Sequence, residues 1–326
     1  MNSSKPAVLI LTHHADFYTV DRVAEAVARR GLRPVRFDTD RFPARATLSA
    51  SVDHGTDGLL LRDGDQAVRG NEVRAMWMRH VRKPAPAPDL DPRFHDGAVR
   101  ESSEALYAAF DLLRDARWID SPAVVARARN KLLQLRLARE AGLAIPRTIL
   151  TNDPAEARAF HAAVEGRAVA KMLTPLHQSM DASGPFVYTS RVRESDLAEA
   201  DTLRHAPMLF QEEIEKSREL RVAIVDGELF AGAIEASGSP AGAVDWRRSD
   251  PADCRWERDT LPADCAASLR MLMASLGLAF GAVDLIRTPE GRHVFLEVNP
   301  NGEWGMLERD LGHPIAEALA RSLCGE

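Results

Sequence analysis

"FLEVNPNGEW" (295–304) sets a glutamate and an asparagine two residues apart on an apolar run. The segment before it, "AFGAVDLIRTPEGRHV" (279–294), reads as its partner in a hairpin. With Glu290-Gly291 as the turn, Asp284 stands opposite Glu297. Side chains two apart share a face, so Asn299, Phe295 and Ile286 join the two carboxylates. The other face, Val283, Leu285, Leu296 and Val298, is wholly apolar and expects a core. Like charges directly across a strand pair repel unless something neutralises them. An all-oxygen donor set suits Mg²⁺; a solvated face with counter-arginines is the other reading of the same pattern.

The 326 residues suffice for two or three domains with sizeable cores. A composition of 45% hydrophobic and 28% charged residues, net charge −6 and pI near 6.0 give no footing for nucleic-acid or membrane binding. No apolar run is long enough to span a bilayer, and "AVLIL" (7–11) is too short for a signal-peptide core. Cys254, Cys265 and Cys324 lack metal-ligand spacing and read as reduced thiols of a cytoplasmic protein. Of the 42 basic residues only Lys5, Lys83, Lys131, Lys171 and Lys216 are lysines. In a chain so rich in arginine, a retained lysine points to a need for a compact charge.

"AVLILTHHAD" (7–16), "YTVDRVAEAVARRG" (18–31) and "LRPVRFDTDRFP" (32–43) predict a βαβ start. A hairpin over 45–68, a strand within 72–84 and a helix over 97–116 follow. A boundary falls near 118, and one helix is expected over 122–141, ended by Gly142. Beyond 147 the pattern becomes strands and helices of an α+β kind, with a hairpin turning at Asp226-Gly227. Helices close the pattern at 262–278 and 314–323. Trp77 reads as core, in a strand that ends with Arg79 and Arg82 near the expected cleft, and Trp304 either packs against substrate or closes the core. His13 and His14 read as strand-end residues without a partner pattern, and Glu303 as a loop residue.

"NK" opening a helix that runs into "GLAIP" (130–146), the strand lysine of "AVAKML" (168–173), "FQEEIEK" (210–216), "ELRV" (219–222), "GAVDL" (281–285) and "FLEVNPNGEW" follow one another in a telling order. That order resembles the ATP-grasp superfamily of carboxylate–amine ligases, and the two ends of the chain resemble its microviridin-type, graspetide-forming peptide maturases. The resemblance implies an α/β and α+β ATP-grasp fold. Its parts would be a Rossmann-like pre-ATP-grasp unit over 1–118, a central subdomain over 119–205 and a C-terminal subdomain over 206–326 holding the metal site.

Carried onto this sequence, the resemblance implies ATP and two Mg²⁺ ions as cofactors. Lys131 and Lys171 would reach the phosphates and the adenine edge, and Gln211, Glu212, Glu213 and Ile214 would form the adenine-reading hinge. Glu219 would bind the ribose, with Glu213 and Glu215 as alternatives; Lys216 would be an ATP contact or half of a surface ion pair. Arg221 would clamp the γ-phosphate, in keeping with arginine's bidentate geometry. Asp284, Glu297 and Asn299 would hold Mg²⁺, and Arg247 or Arg248 of "DWRRSD" (245–250) would hold the acid to be activated. The family's Gly-rich phosphate loop is replaced by "TPLHQSMDASGP" (174–185), where His177, Gln178 and Ser179 are the candidates.

The implied substrate is a ribosomal precursor peptide with a leader segment, and the family admits a homodimer. The implied chemistry converts an Asp or Glu side chain to an acyl-phosphate, then to an ω-ester or ω-amide ring. Two alternatives stand beside it: a ligase adding free amino acids, like the ribosomal-protein glutamate ligases, and a nucleotide-binding regulatory protein without turnover.

Overall fold

The structure, a computed structural model, describes residues 5–55, 57–173, 189–235 and 255–326. β1 (Ala7–Thr12), α1 (Tyr18–Arg29) and β2 (Arg33–Asp38) form the expected βαβ unit. β3 (Ala46–Val52), β4 (Asp57–Asp63) and β5 (Gln66–Arg69) follow, then β6 (Val73–Met78), α2 (His95–Asp111) and β7 (Arg117–Ile119). The parallel sheet has the order β2-β1-β6-β7, and β3-β4-β5 is a separate antiparallel sheet. The single hairpin expected over 45–68 is therefore three strands, because Gly64 takes φ +59° and turns the chain inside "RDGD".

Every residue of β1 is buried. Val8 and Ile10 face a core shared with α1, while Ala7, Leu9 and Leu11 face a second core with α2. That two-sided burial is why "AVLIL" is apolar without alternation.

α3 (Pro122–Ala128) and α4 (Lys131–Glu140) replace the one helix expected over 122–141. Asn130 breaks it: its side chain accepts the Leu133 N–H at 3.1 Å and caps a new helix. β8 (Thr148–Thr151), α5 (Pro154–Ala163), β9 (Ala168–Lys171), β10 (Ser190–Arg191), α6 (Glu194–Ala198) and β11 (Met208–Glu212) give an antiparallel sheet ordered β10-β9-β11-β8.

The last sheet, β14-β13-β12-β15-β16, comes from β12 (Arg218–Val225), β13 (Glu228–Glu235), β14 (Trp256–Asp259), β15 (Phe280–Arg287) and β16 (His293–Asn299). α7 (Ala263–Leu276) precedes β15, and α8 (Gly305–Leu311) and α9 (Ile315–Cys324) follow β16; α8 was not expected from the sequence. The Asp226-Gly227 turn has positive φ at both residues, 44° and 82°, as a two-residue hairpin requires. Leu220, Val222 and Ile224 of β12 pack with α4 and α7, whereas Ala223 and Val225 join α9, Trp304 and the first sheet in another core. Trp77 is a core residue, as expected, and of the two readings of Trp304 the core one holds. No helix among the described residues is long and apolar enough to cross a membrane.

Asp120 ties β7 to β15: its two oxygens accept the N–H groups of Ala279 at 2.9 Å and Phe280 at 3.1 Å. Burial pushes its carboxyl up to about 6, against the pull of those two hydrogen bonds. A folded pKa above the unfolded value near 4 means that the folded state binds the proton more tightly between the two. Asp120 therefore adds stability as pH falls through about 6 towards 4, opposite to ordinary acid denaturation. Between pH 7 and pH 5 wild type should gain about 1 kcal/mol relative to Asp120→Asn in paired unfolding measurements. Equal pH trends in the two proteins would contradict this.

Candidate active site

The last sheet lines up its charges by register. Arg221 of β12 pairs with Asp284 of β15, and Asp284 pairs with Glu297 of β16. One row thus crosses three strands as guanidinium, carboxylate, carboxylate. Arg221 Nη1 lies 2.6 Å from Asp284 Oδ1, and both side chains are largely buried. Glu297 Oε2 lies 2.5 Å from Lys131 Nζ.

The expected Asp284–Glu297 pair is present, but the faces around it differ. A bulge shifts the register between Asp284 and Leu285, so Leu285 pairs with Phe295. Phe295 is therefore fully buried in the core with Val283, Leu285 and Val298, and Leu296 is the half-buried residue. The expectation that Phe295 shares the acidic face is corrected by that extra residue.

Lys131 reaches Glu297 because α4 is fastened to β16. Gln134, one helical turn from Lys131 and almost fully buried, grips Val298 from both sides. Its Oε1 accepts the Val298 N–H at 2.9 Å and its Nε2 donates to the Val298 carbonyl at 2.8 Å. Residues three apart share a helix face, so the same face carries the lysine to the carboxylate. Asn299 sits two residues beyond Glu297, its Oδ1 accepting the Asn301 N–H at 3.0 Å. Two carboxylates and a carboxamide on adjacent strands, with a lysine and an arginine already balancing the charge, are a donor set that fits Mg²⁺.

The remaining sequence candidates fall into separate groups. Lys171 ends β9, paired with Leu209 of β11. Gln211 is buried and its Nε2 donates to Thr148 Oγ1 at 3.1 Å. The N–H groups of Glu212 and Glu213 donate to the carbonyls of Arg147 and Arg167 at 2.9 and 2.8 Å, which fixes the chain leading to the half-buried Ile214. The Glu213 carboxylate pairs with Arg191, whose Nη2 is 2.6 Å from Oε1. Glu219 pairs with Lys216 at 2.5 Å, with little of either side chain exposed, so that pair is not a surface one. Ser179, His177, Gln178, Arg247 and Arg248 lie outside the described residues.

A cluster beside the acidic row includes Arg79, expected near the cleft, together with His80 and Asp16, which the sequence reading did not single out. Arg79, with none of its surface exposed, donates from Nη1 to the carbonyls of Asn301 at 3.1 Å and Gly302 at 2.9 Å. His80 Nε2 lies 2.8 Å from the Asn301 carbonyl, and its Nδ1 lies 3.2 Å from Asp16 Oδ2. Burial works to raise the Asp16 carboxyl, but hydrogen bonds from His80 and Thr12 and the Arg79 charge bring it down to about 2. Burial, with the Arg82 charge, lowers the pKa of the neighbouring His13. The available signal was positional, since "THHAD" and "RH" both stand at the carboxyl ends of parallel strands. Glu303 is also more than a bystander: its carbonyl accepts from Arg221 Nε at 3.1 Å, and its carboxylate lies 2.7 Å from Arg79 Nη2.

Residues 7–126 match a family model described as the MvdD pre-ATP grasp domain. The chain is 46% identical to the macrocyclase MdnB of Microcystis aeruginosa MRC, with a TM-score of 0.84 over 98% of this chain and 99% of that one. It is 31% identical to a RiPP-associated ATP-grasp ligase of Chryseobacterium gregarium solved with ADP and a leader and core peptide, with a TM-score of 0.91 over 98% and 97% of the two chains. It is also 22% identical, over 96% of its length, to a probable alpha-L-glutamate ligase of Shewanella halifaxensis (strain HAW-EB4), spanning 62% of that relative. Matched over nearly the whole of both chains at that identity, the chain belongs to the ATP-grasp ligases and has their fold, in the branch of the microviridin-type macrocyclases.

Proposed function

We propose that this chain activates Asp or Glu side chains of a ribosomal precursor peptide as acyl-phosphates, using ATP and Mg²⁺. It then closes macrocyclic ω-ester or ω-amide links onto Ser, Thr or Lys side chains of the same peptide. The observation that carries the reading is the Lys131–Glu297–Asp284–Arg221 charge row, in a chain 46% identical over nearly its full length to a named macrocyclase.

A carboxylate resists attack because its leaving group would be oxide, and it is repelled by the polyphosphate that could activate it. Asp284, Glu297 and Asn299 would hold Mg²⁺. Two bound ions would supply Lewis-acid neutralisation of the triphosphate. Arg221, braced by Asp284 and the Glu303 carbonyl, is a preorganised cation whose remaining N–H groups would bind the transferred phosphoryl group. Lys131 would share its charge between Glu297 and phosphate, and Lys171 would serve the phosphates and the adenine edge. The hinge Gln211–Ile214 would read the adenine and Glu219 the ribose. Ser179 would contact phosphate, and Arg247 or Arg248 the acid to be activated. Exclusion of water from the cleft would protect the acyl-phosphate.

We assign the work to three units, 1–118, 119–205 and 206–326, counting β11 with the central sheet to which it pairs. A leader segment of the precursor is the proposed docking element, and the cytoplasm is the proposed compartment. The second reading, addition of glutamate to a peptide, is favoured by the 22% identical glutamate-ligase relative, of which this chain spans 62%.

Incubation of a cognate precursor peptide with the protein, ATP and Mg²⁺ should remove one water per ring, with one ADP formed per water lost. Esters would then open in mild base and amides would persist. A mass gain of whole glutamate residues would establish the second reading instead, and an unchanged peptide would refute both.

Glu297→Gln and Arg221→Lys should each lower turnover about 10²-fold or more while the metal-free protein melts as wild type does. Turnover within a few-fold of wild type in either variant would remove that residue from the site.

A further inference from the structure

β1 leads to β2 on one side of the first sheet, while β6 lies on the other side of β1. In open α/β sheets, the crevice beyond the carboxyl ends of strands at such a reversal is where ligands bind. Here the residues at that crevice are His13 and Asp16 after β1, and Arg79 and His80 after β6. What Arg79 and His80 grip is the chain's own turn, Asn301–Glu303, which follows the acidic strand β16.

We propose that Arg79 and His80, braced by Asp16, are positioning residues that use this crevice to hold the turn bonded to Asn299 and Arg221 of the Mg²⁺ and phosphate site; this rests on the site reading given above. Arg79 holds the carbonyls of Asn301 and Gly302 from the first sheet, and Arg221 Nε holds the Glu303 carbonyl from the last. His80 stands between Asp16 Oδ2, at its Nδ1, and the Asn301 carbonyl, at its Nε2. Thr12 Oγ1 fixes Asp16 Oδ2 at 2.6 Å.

The turn has little room to move by itself. A Cβ on Gly302 would lie 2.4 Å from the Ala282 Cβ and 3.2 Å from both Arg221 Nη2 and the Asn299 Cβ. The Asn301 N–H is bonded to the Asn299 carboxamide oxygen. A displaced turn therefore displaces Asn299 and Arg221 together.

His13, Asp16 and His80 bring their ligand atoms within 4.8 Å of one another, a spacing a metal ion could use. However, Arg79 Nε stands 3.9 Å from Asp16 Oδ2, so the chain itself supplies a cation there. The trio is thus better matched to bracing Arg79 and His80 than to holding an ion.

The test is calorimetric binding of Mg²⁺·ADP to the full chain, which needs no peptide. Arg79→Met and His80→Gln should each weaken binding about tenfold or more, the scale typical of lost partners behind metal ligands, with Arg79→Lys recovering part of it. Gly302→Ala should weaken binding from the turn side. His80 is half-buried, so His80→Gln with wild-type melting decides the matter where Arg79→Met fails to fold. Wild-type affinity in folded His80→Gln and Gly302→Ala would overturn the proposal alone. A wild-type protein that binds no Mg²⁺·ADP would overturn the site reading and the proposal with it. Intact binding without peptide modification would overturn only the peptide reading.

Discussion

Two carboxylates facing each other across adjacent strands set the terms for the rest of the molecule. Asp284 and Glu297 can remain ionised side by side only if cations are brought to them. Each receives its own: Arg221 from the next strand and Lys131 from the first turn of α4. The order β12-β15-β16 and the seating of α4 on β16 are both conditions for that neutrality. The same arrangement makes the site useful, because a face that balances fixed negative charge with fixed positive charge can accept metal ions and phosphates with little reorganisation.

The charged row also depends on how β12 distributes its two faces. Leu220, Val222 and Ile224 are committed to the core beneath α4 and α7. Arg221 lies on the opposite face, and its neighbours Ala223 and Val225 continue into the core shared with the first sheet. The first sheet is therefore pressed against the continuation of the reactive face, which brings Arg79 within reach of the Asn301–Glu303 turn.

Local features of the site could be read from the chain, and the contacts that assemble it could not. Asp284 opposite Glu297 followed from hairpin register, although the actual pairing near the turn, Arg287 with His293, is offset by one residue and the bulge at Leu296 restores the count. The same bulge exchanged the places of Phe295 and Leu296, because an extra residue leaves no mark on apolar alternation. Arg221 stood out as a cation in an apolar strand, and Lys131 as a rare lysine behind a capping asparagine. Gln134 carried no such sign, and Arg79 and His80 had only their place at the end of a parallel strand, which did not name their partners. Their partners are 164, 222 and 221 residues away in sequence, a separation no local periodicity encodes.

One core joins the two ends of the described chain. Val20, Val23 and Val27 of α1 and Trp77 of β6 share it with Leu319 and Leu323 of α9, and Arg30, just past α1, pairs with Glu317 on α9. A ribosome delivers α1 well before α9. During synthesis, one flank of the parallel sheet, with its valines and tryptophan, therefore lacks this cover until α9 emerges. Apolar surface left open in this way is what makes a partly made chain prone to association.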